Sequence, residues 1–206
     1  SGGVLEAPVV SEGRVFVTTT DNRLVALSAS DGARLWDRRR PHKSDLTISG
    51  QSGALVVGDR AITGTSDGLV IAYAASDGAT DWSVNLAGDE VEFVDADATP
   101  LWVDGVVVTA GYATGLVGLS ASNGEVLWTV PGEGFTATTA ASGVVYAPQA
   151  NGRISAVEAK TGRIVWTSSL RSGTPRRPAL TERYVIVPTE RALVVLEPVE
   201  VRPGDK

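Results

Sequence analysis

Short apolar runs recur along the whole chain, each cut off by glycine, aspartate or asparagine and followed at a set distance by tryptophan. The copies read LVALSASDGARLW (24–36), LVIAYAASDGATDW (69–82), LVGLSASNGEVLW (116–128) and ISAVEAKTGRIVW (154–166). Their tryptophans, Trp36, Trp82, Trp128 and Trp166, are spaced 46, 46 and 38 residues apart. A fifth copy, RALVVLEP, begins at Arg191 and does not reach a tryptophan. Strand-built repeats of this length predict a propeller or a solenoid.

Within each copy the residues before the turn alternate or run apolar, as in strands covered on one or both faces. Asp31-Gly32, Asp77-Gly78, Asn123-Gly124 and Thr161-Gly162 accept the positive φ of tight hairpin turns. The tryptophan follows four residues after the glycine, where it can bury about 150–250 Å² between neighbouring units. Core packing is the plain reading of all four. Two more strand-like runs precede each copy and turn at Glu12-Gly13, Gly58-Asp59, Asp104-Gly105, Ser142-Gly143 and Glu182-Arg183. Trp102 lies outside the pattern, on an early strand. The unit is four antiparallel strands joined by short turns, one propeller blade. The fold class is therefore all-β, with 1–206 one β-propeller segment and blades near 1–38, 46–86, 96–130, 135–169 and 176–199.

Composition sharpens this picture at a few points. The net charge of −6 speaks against nucleic acid, which selects a basic face. The run Arg38, Arg39, Arg40, His42 and Lys43 is the exception; it reads as a solvated inter-blade loop or a patch for an acidic partner. No apolar stretch approaches the length of a membrane span. The absence of cysteine excludes disulfides and thiolate chemistry.

Candidate chemistry is sparse. His42 is the single histidine, so two-histidine metal motifs are impossible and a Ser–His–Asp triad would have one available base. No phosphate-binding or dinucleotide fingerprint appears. Five acids, Asp89, Glu90, Glu92, Asp95 and Asp97, fall within nine residues. They suit a calcium ion, a partner contact or a solvated loop. The chain is expected to have no catalytic residue, no metal and no cofactor.

The units resemble those of the pyrroloquinoline-quinone (PQQ) propeller superfamily, with its A-L-D-A-x-T-G-x-x-x-W signature. A narrower likeness lies in 45–73 and 94–128. There DLTISGQS and VDADATPLWVDGVVV are similar to two inter-blade loops of the BamB family, lipoproteins of the machinery that inserts β-barrels into the bacterial outer membrane. The resemblance implies a non-enzymatic scaffold at the periplasmic face of that membrane, held by a lipid anchor outside this chain. It also implies BamA, through its periplasmic domains, as the partner. Carried over, the partner-binding residues would be Leu46, Ile48 and Asp95. Ser49 stands where the family has an arginine, so a charge-assisted bond to carboxylate is missing there; Arg40 and Lys43 are candidates to replace it.

The same resemblance implies closure with eight blades, of which about five are visible. An open ring leaves strand edges to cover, and GGVLE (2–6) is a candidate to lend a strand to the incomplete blade. Two other functions stay open: an extracytoplasmic propeller that senses or binds a ligand, and a fragment of a PQQ-dependent dehydrogenase. The dehydrogenases resemble the chain in their tryptophan turns but usually carry a vicinal cysteine pair and a calcium site.

Overall fold

The first repeat shows how local sequence builds a blade. In a computed structural model that describes residues 2–40, 52–86, 96, 98–111, 114–135 and 137–197, β1 (Val9–Ser11), β2 (Arg14–Thr19), β3 (Arg23–Ser28) and β4 (Arg34–Arg39) form one antiparallel sheet in chain order. Glu12 and Gly13 both have positive φ, 46° and 73°, the geometry of the two-residue turn whose twist matches the strands. The pattern repeats three times. The second blade holds β5 (Leu55–Val57), β6 (Arg60–Gly64), β7 (Leu69–Ala74) and β8 (Thr80–Asn85). The third holds β9 (Leu101–Val103), β10 (Val106–Gly111), β11 (Gly115–Ser120) and β12 (Val126–Val130). The fourth holds β13 (Thr139–Ala141), β14 (Val144–Pro148), β15 (Arg153–Glu158) and β16 (Ile164–Ser169). A fifth, three-stranded sheet holds β17 (Ala179–Leu180), β18 (Val185–Pro188) and β19 (Leu193–Leu196). No helix occurs among the described residues.

The core is a stack of slabs, one between each pair of consecutive blades. Strand alternation sends Phe16, Leu24, Ala26 and Trp36 from blade 1 against Ala61, Ile71 and Tyr73 of blade 2. The intervening residues Ile62, Val70 and Ala72 face blade 3 and meet Val107, Val117 and Leu119. The same division recurs between blades 3 and 4 and between blades 4 and 5. Both faces of each central blade are thus apolar, which is why their strands read as continuous apolar runs. Innermost strands touch in chain order, β1 on β5, β5 on β9, β9 on β13 and β13 on β17. Near the N-terminus, Thr20 N–H donates to the Gly3 carbonyl and Gly3 N–H to Thr20 Oγ1, both at 2.9 Å. Gly3 of the GGVLE segment therefore lies on blade 1, not on the incomplete blade, because a hairpin loop close in sequence satisfies its backbone.

Each tryptophan sits opposite a small residue on the preceding strand: Trp36 pairs Ala26, Trp82 pairs Ala72, Trp128 pairs Gly118 and Trp166 pairs Ala156. A register shift follows at the same place in all four blades, a bulge that re-aims the side chain. The indole then crosses to the next blade. Trp36 Nε1 donates to the Ala75 carbonyl at 3.0 Å, Trp82 to Ala121 at 3.3 Å and Trp128 to Ala159 at 2.9 Å. The ring lies on the glycine three residues further on. A Cβ at Gly78, Gly124 or Gly162 would meet it at 2.8, 2.6 and 2.7 Å.

Two expectations need correction here. Trp36, Trp82 and Trp128 are buried, but Trp166 is only half-buried. The fifth repeat has Pro198 and Val201 where its predecessors have the docking alanine and glycine, so its sequence offers no equivalent turn. Secondly, the Asp-Gly pairs close four-residue turns rather than two-residue ones. Gly32, Gly78, Gly124 and Gly162 donate back to the carbonyls of Ser28, Ala74, Ser120 and Glu158, and among each pair the glycine alone takes positive φ. Trp102, as expected, stands apart on β9 and is 47% exposed.

Candidate partner-binding rim

The ends of the two inter-blade loops singled out from sequence meet at one turn. Residues 65–68 join β6 to β7, and Thr65 closes that turn on itself. Its Oγ1 bonds Asp67 Oδ1 at 2.6 Å, and Thr65 N–H donates to the Leu69 carbonyl at 2.9 Å. The four flanking loop ends bind to this turn or to its neighbour Gly64. Arg40, where the first loop leaves blade 1, contacts Asp67 at 3.3 Å. Ser52, where that loop returns, accepts the Gly64 N–H on its Oγ at 3.0 Å. Leu86, where the second loop leaves blade 2, donates its N–H to the Gly68 carbonyl at 2.9 Å. Ala96 donates its N–H to the Thr65 carbonyl at 3.2 Å. Gly64 has no alternative residue, since a Cβ there would overlap the Ala96 carbonyl oxygen.

Polar contacts lock this hub to both neighbours. Asn22, in the β2–β3 turn of blade 1, donates from Nδ2 to Ser66 Oγ at 2.7 Å, and its backbone carbonyl accepts the Arg40 N–H at 3.0 Å. Gly53 N–H donates to Thr99 Oγ1 at 2.9 Å, tying the end of the first loop to blade 3. The Asp67 side chain is 7% exposed, so its pair with Arg40 works where solvent screens poorly.

Leu46, Ile48, Ser49 and Asp95, as well as His42, Lys43, Asp89, Glu90, Glu92 and Asp97, lie outside the described residues. Of the basic run, Arg38 and Arg39 belong to β4 rather than to a solvated loop. Arg38 reaches across to blade 2, where its Nε donates to the Gly78 carbonyl at 2.7 Å and its Nη2 to Asp77 at 2.9 Å. Arg39 lies 3.6 Å from Asp21. A hydrogen bond from Thr19, followed by the charges of Arg23 and Arg39, holds the Asp21 carboxyl below its ordinary value. Arg40 is engaged by Asp67 and is a poor replacement for the arginine absent at Ser49. The hub itself escaped sequence reasoning. Its one legible signal was Thr-x-Asp at the second hairpin of the first two blades, 19–21 and 65–67. In the first blade too, Thr19 Oγ1 bonds the aspartate, at 2.6 Å.

Consecutive antiparallel blades, with Trp36, Trp82 and Trp128 each docked on the next blade's glycine turn, define a β-propeller of the PQQ-repeat class. The family model described as "Outer membrane protein assembly factor BamB" matches residues 1–168 and 91–200. The chain belongs to the BamB family. Among its relatives it is 31% identical to the outer membrane protein assembly factor BamB of Moranella endobia over 174 residues, 82% of this chain and 45% of the relative. It is 30% identical to that of Yersinia pestis over 193 residues, 91% of this chain and 49% of the relative. The chain thus spans about half the length of these relatives. Solved structures agree on the fold. BamB from Moraxella catarrhalis superposes with a TM-score of 0.60 at 18% identity, covering 92% of this chain and 70% of that one. A quinohemoprotein alcohol dehydrogenase from Comamonas testosteroni reaches 0.77 at 16% identity, covering 95% and 41%.

Proposed function

We propose that the chain is part of a non-enzymatic scaffold that assists the assembly and insertion of β-barrel proteins into the bacterial outer membrane by binding BamA. Membership of the BamB family carries this reading. The convergence of all four loop ends on the 64–68 segment supports it further, because the ends of both candidate recognition loops then meet at one place. In this reading 1–206 is a propeller segment that works at the periplasmic face of the outer membrane, attached through a lipid anchor outside the chain. Leu46, Ile48 and Asp95 are the proposed contacts, two aliphatic side chains and a carboxylate, the mixture of apolar and polar groups that recognition surfaces tend to use.

The test is capture of the periplasmic domains of BamA from the same organism. A Leu46→Ala, Ile48→Ala, Asp95→Ala triple variant is expected to fold normally and lose capture, and unchanged capture would remove these three residues from the proposal. The dehydrogenase fold likeness supplies the second reading. Melting the protein with PQQ and Ca²⁺ distinguishes the two, since tight binding to the native state raises the midpoint by mass action and the scaffold reading expects no shift.

A further inference from the structure

Arginine is partnered in one part of the molecule and unpaired in another. On blades 1 and 2, Arg14, Arg23, Arg34, Arg39, Arg40 and Arg60 each meet an aspartate or glutamate. Arg163 and Arg183 pair with Glu158 and Glu197. Arg153, Arg171, Arg176, Arg177 and Arg191 are exposed and hold no acid among the described residues. Strand direction gathers these unpaired arginines at one end of blades 4 and 5. Strands alternate in direction within a blade, so inter-blade loops and second hairpins share an end. Arg153 and Arg191 flank or form second hairpins, and Arg171, Arg176 and Arg177 lie between β16 and β17. On a chain of net charge −6, this end is a positive island.

A pocket of about 330 Å³ opens within the island, at the junction of blades 4 and 5. It is lined by Ala137, Thr174, Pro175, Arg176, Arg177 and Glu190. Comparison with the junction of blades 2 and 3 shows why space is left. There the residues two positions before the inner strands close on each other, Gly53 N–H donating to Thr99 Oγ1 at 2.9 Å. Here the same positions hold Ala137 and Arg177, and both line the pocket instead.

The backbone beneath the arginines is tied down. Pro175 bridges Thr189, Arg176 N–H donates to the Pro188 carbonyl at 2.8 Å, and Arg191 N–H donates to the Ser172 carbonyl at 3.2 Å. Glu190 folds back over Gly173, where φ is 98° and a Cβ would meet Glu190 Oε2 at 2.8 Å. Binding therefore has only side chains to order, which keeps its entropic cost low.

Paired guanidiniums match either a carboxylate or a phosphate. Glu190 decides between them. A carboxylate in the wall repels a phosphate dianion more than a single carboxylate, and it can accept an N–H, which a polypeptide supplies and a phosphate does not. Ala137 and Pro175 add apolar surface for the stem of a side chain. We propose that the pocket docks an acidic stretch of polypeptide, with Arg176 and Arg177 taking a side-chain carboxylate and Glu190 accepting a backbone N–H. Arg153, Arg171 and Arg191 steer the stretch toward the pocket. The site uses none of Leu46, Ile48 and Asp95 and does not depend on the BamA reading.

Fluorescence anisotropy with the full 206-residue chain and a labelled, end-blocked peptide of sequence GSEEEESG provides the test. Saturable binding is expected, weaker by about tenfold or more when glutamine replaces the glutamates. Arg176→Gln and Arg177→Gln should each weaken it by about tenfold, with melting temperatures unchanged because both side chains are exposed and unbonded. Arg153→Gln removes an equal charge outside the pocket and should cost no more than about twofold. Glu190→Ala should weaken binding even though it removes a negative charge. Absence of saturable binding would overturn the proposal, as would equal losses from Arg153→Gln and Arg177→Gln, which mean a diffuse field without a site. Tighter binding by Glu190→Ala would overturn it too. So would displacement of the peptide by inorganic phosphate or by phosphatidylglycerol vesicles at lower concentration than by unlabelled peptide, an outcome that assigns the pocket to phosphate or to a lipid surface.

Discussion

Blades 3 and 5 are both written in short apolar strands and are buried very differently. In blade 3 all six residues of β10 are buried, as are five of the six of β11. In blade 5, β18 alternates buried and half-buried, and β19 alternates exposed and half-buried although it reads LVVL. Leu193 and Val195 are 66% and 53% exposed. Their counterparts two blades earlier, Leu116 and Gly118, face blade 4 and the Trp128 indole. Burial in this fold is a property of the junction, and a blade with one neighbour has half a core. Stability in repeat arrays is accordingly a sum of unit and nearest-neighbour terms.

The largest test of that comparison is the pair Trp128→Ala and Trp166→Ala. The first removes a buried ring and its hydrogen bond to Ala159 and should cost about 3–5 kcal/mol in denaturant unfolding. The second removes a half-buried ring and should cost about 1–2 kcal/mol. Equal losses would show that Trp166 is as fully docked as its counterparts.

A smaller effect separates occupied from open turns. Gly124→Asn and Gly32→Asn alter glycines of the same φ, but only Gly124 lies under a tryptophan, Trp82. Overpacking at the first should cost about 1–3 kcal/mol, and the second should change stability by about 0.5 kcal/mol or less. Thermal or urea unfolding of the two variants measures the difference directly.

Hydrogen exchange sharpens the contrast without mutation. Amides of β18 and β19 should exchange before those of β10 and β11, because opening blade 5 breaks one slab and opening blade 3 breaks two. Uniform protection across the blades would contradict junction-by-junction stability.

The smallest expected effect is electrostatic and confined to blade 1. Asp21 titrates below its ordinary 3.8 in the folded chain. Its contribution is therefore complete above that value and is lost as pH falls through the lower folded value. Asp21→Asn should make the acid limb of the stability curve slightly shallower, as followed by unfolding at a series of pH values. An unchanged acid limb would show that Thr19, Arg23 and Arg39 favour the carboxylate no more when folded than when unfolded.

Much of the architecture was legible because it is local. Glu12-Gly13, Asp104-Gly105 and Ser142-Gly143 announce two-residue turns through the φ they tolerate, and Trp128 announces its place in the blade through a constant offset from Asn123-Gly124. The family, too, could be read from the 45–73 and 94–128 segments. The hub of the candidate rim could not. Arg40 and Asp67 are twenty-seven residues apart, and Ser52 and Ala96 end different loops; only packing shows that they surround one turn. Arg38 looked like part of a solvated basic run, because nothing near it in sequence reveals the Asp77 and Gly78 carbonyls it binds.

What the sequence by itself determined is the blade: its short apolar strands, the places where they turn and the position of the indole. Each follows from interactions within about forty residues. Tertiary structure alone decided which apolar faces are core and which are surface, and whether a given tryptophan is docked. The physical reason is that a tryptophan carries only half of its contact. The other half is the glycine turn of another blade, supplied to Trp128 by 159–162 and missing, among the described residues, for Trp166.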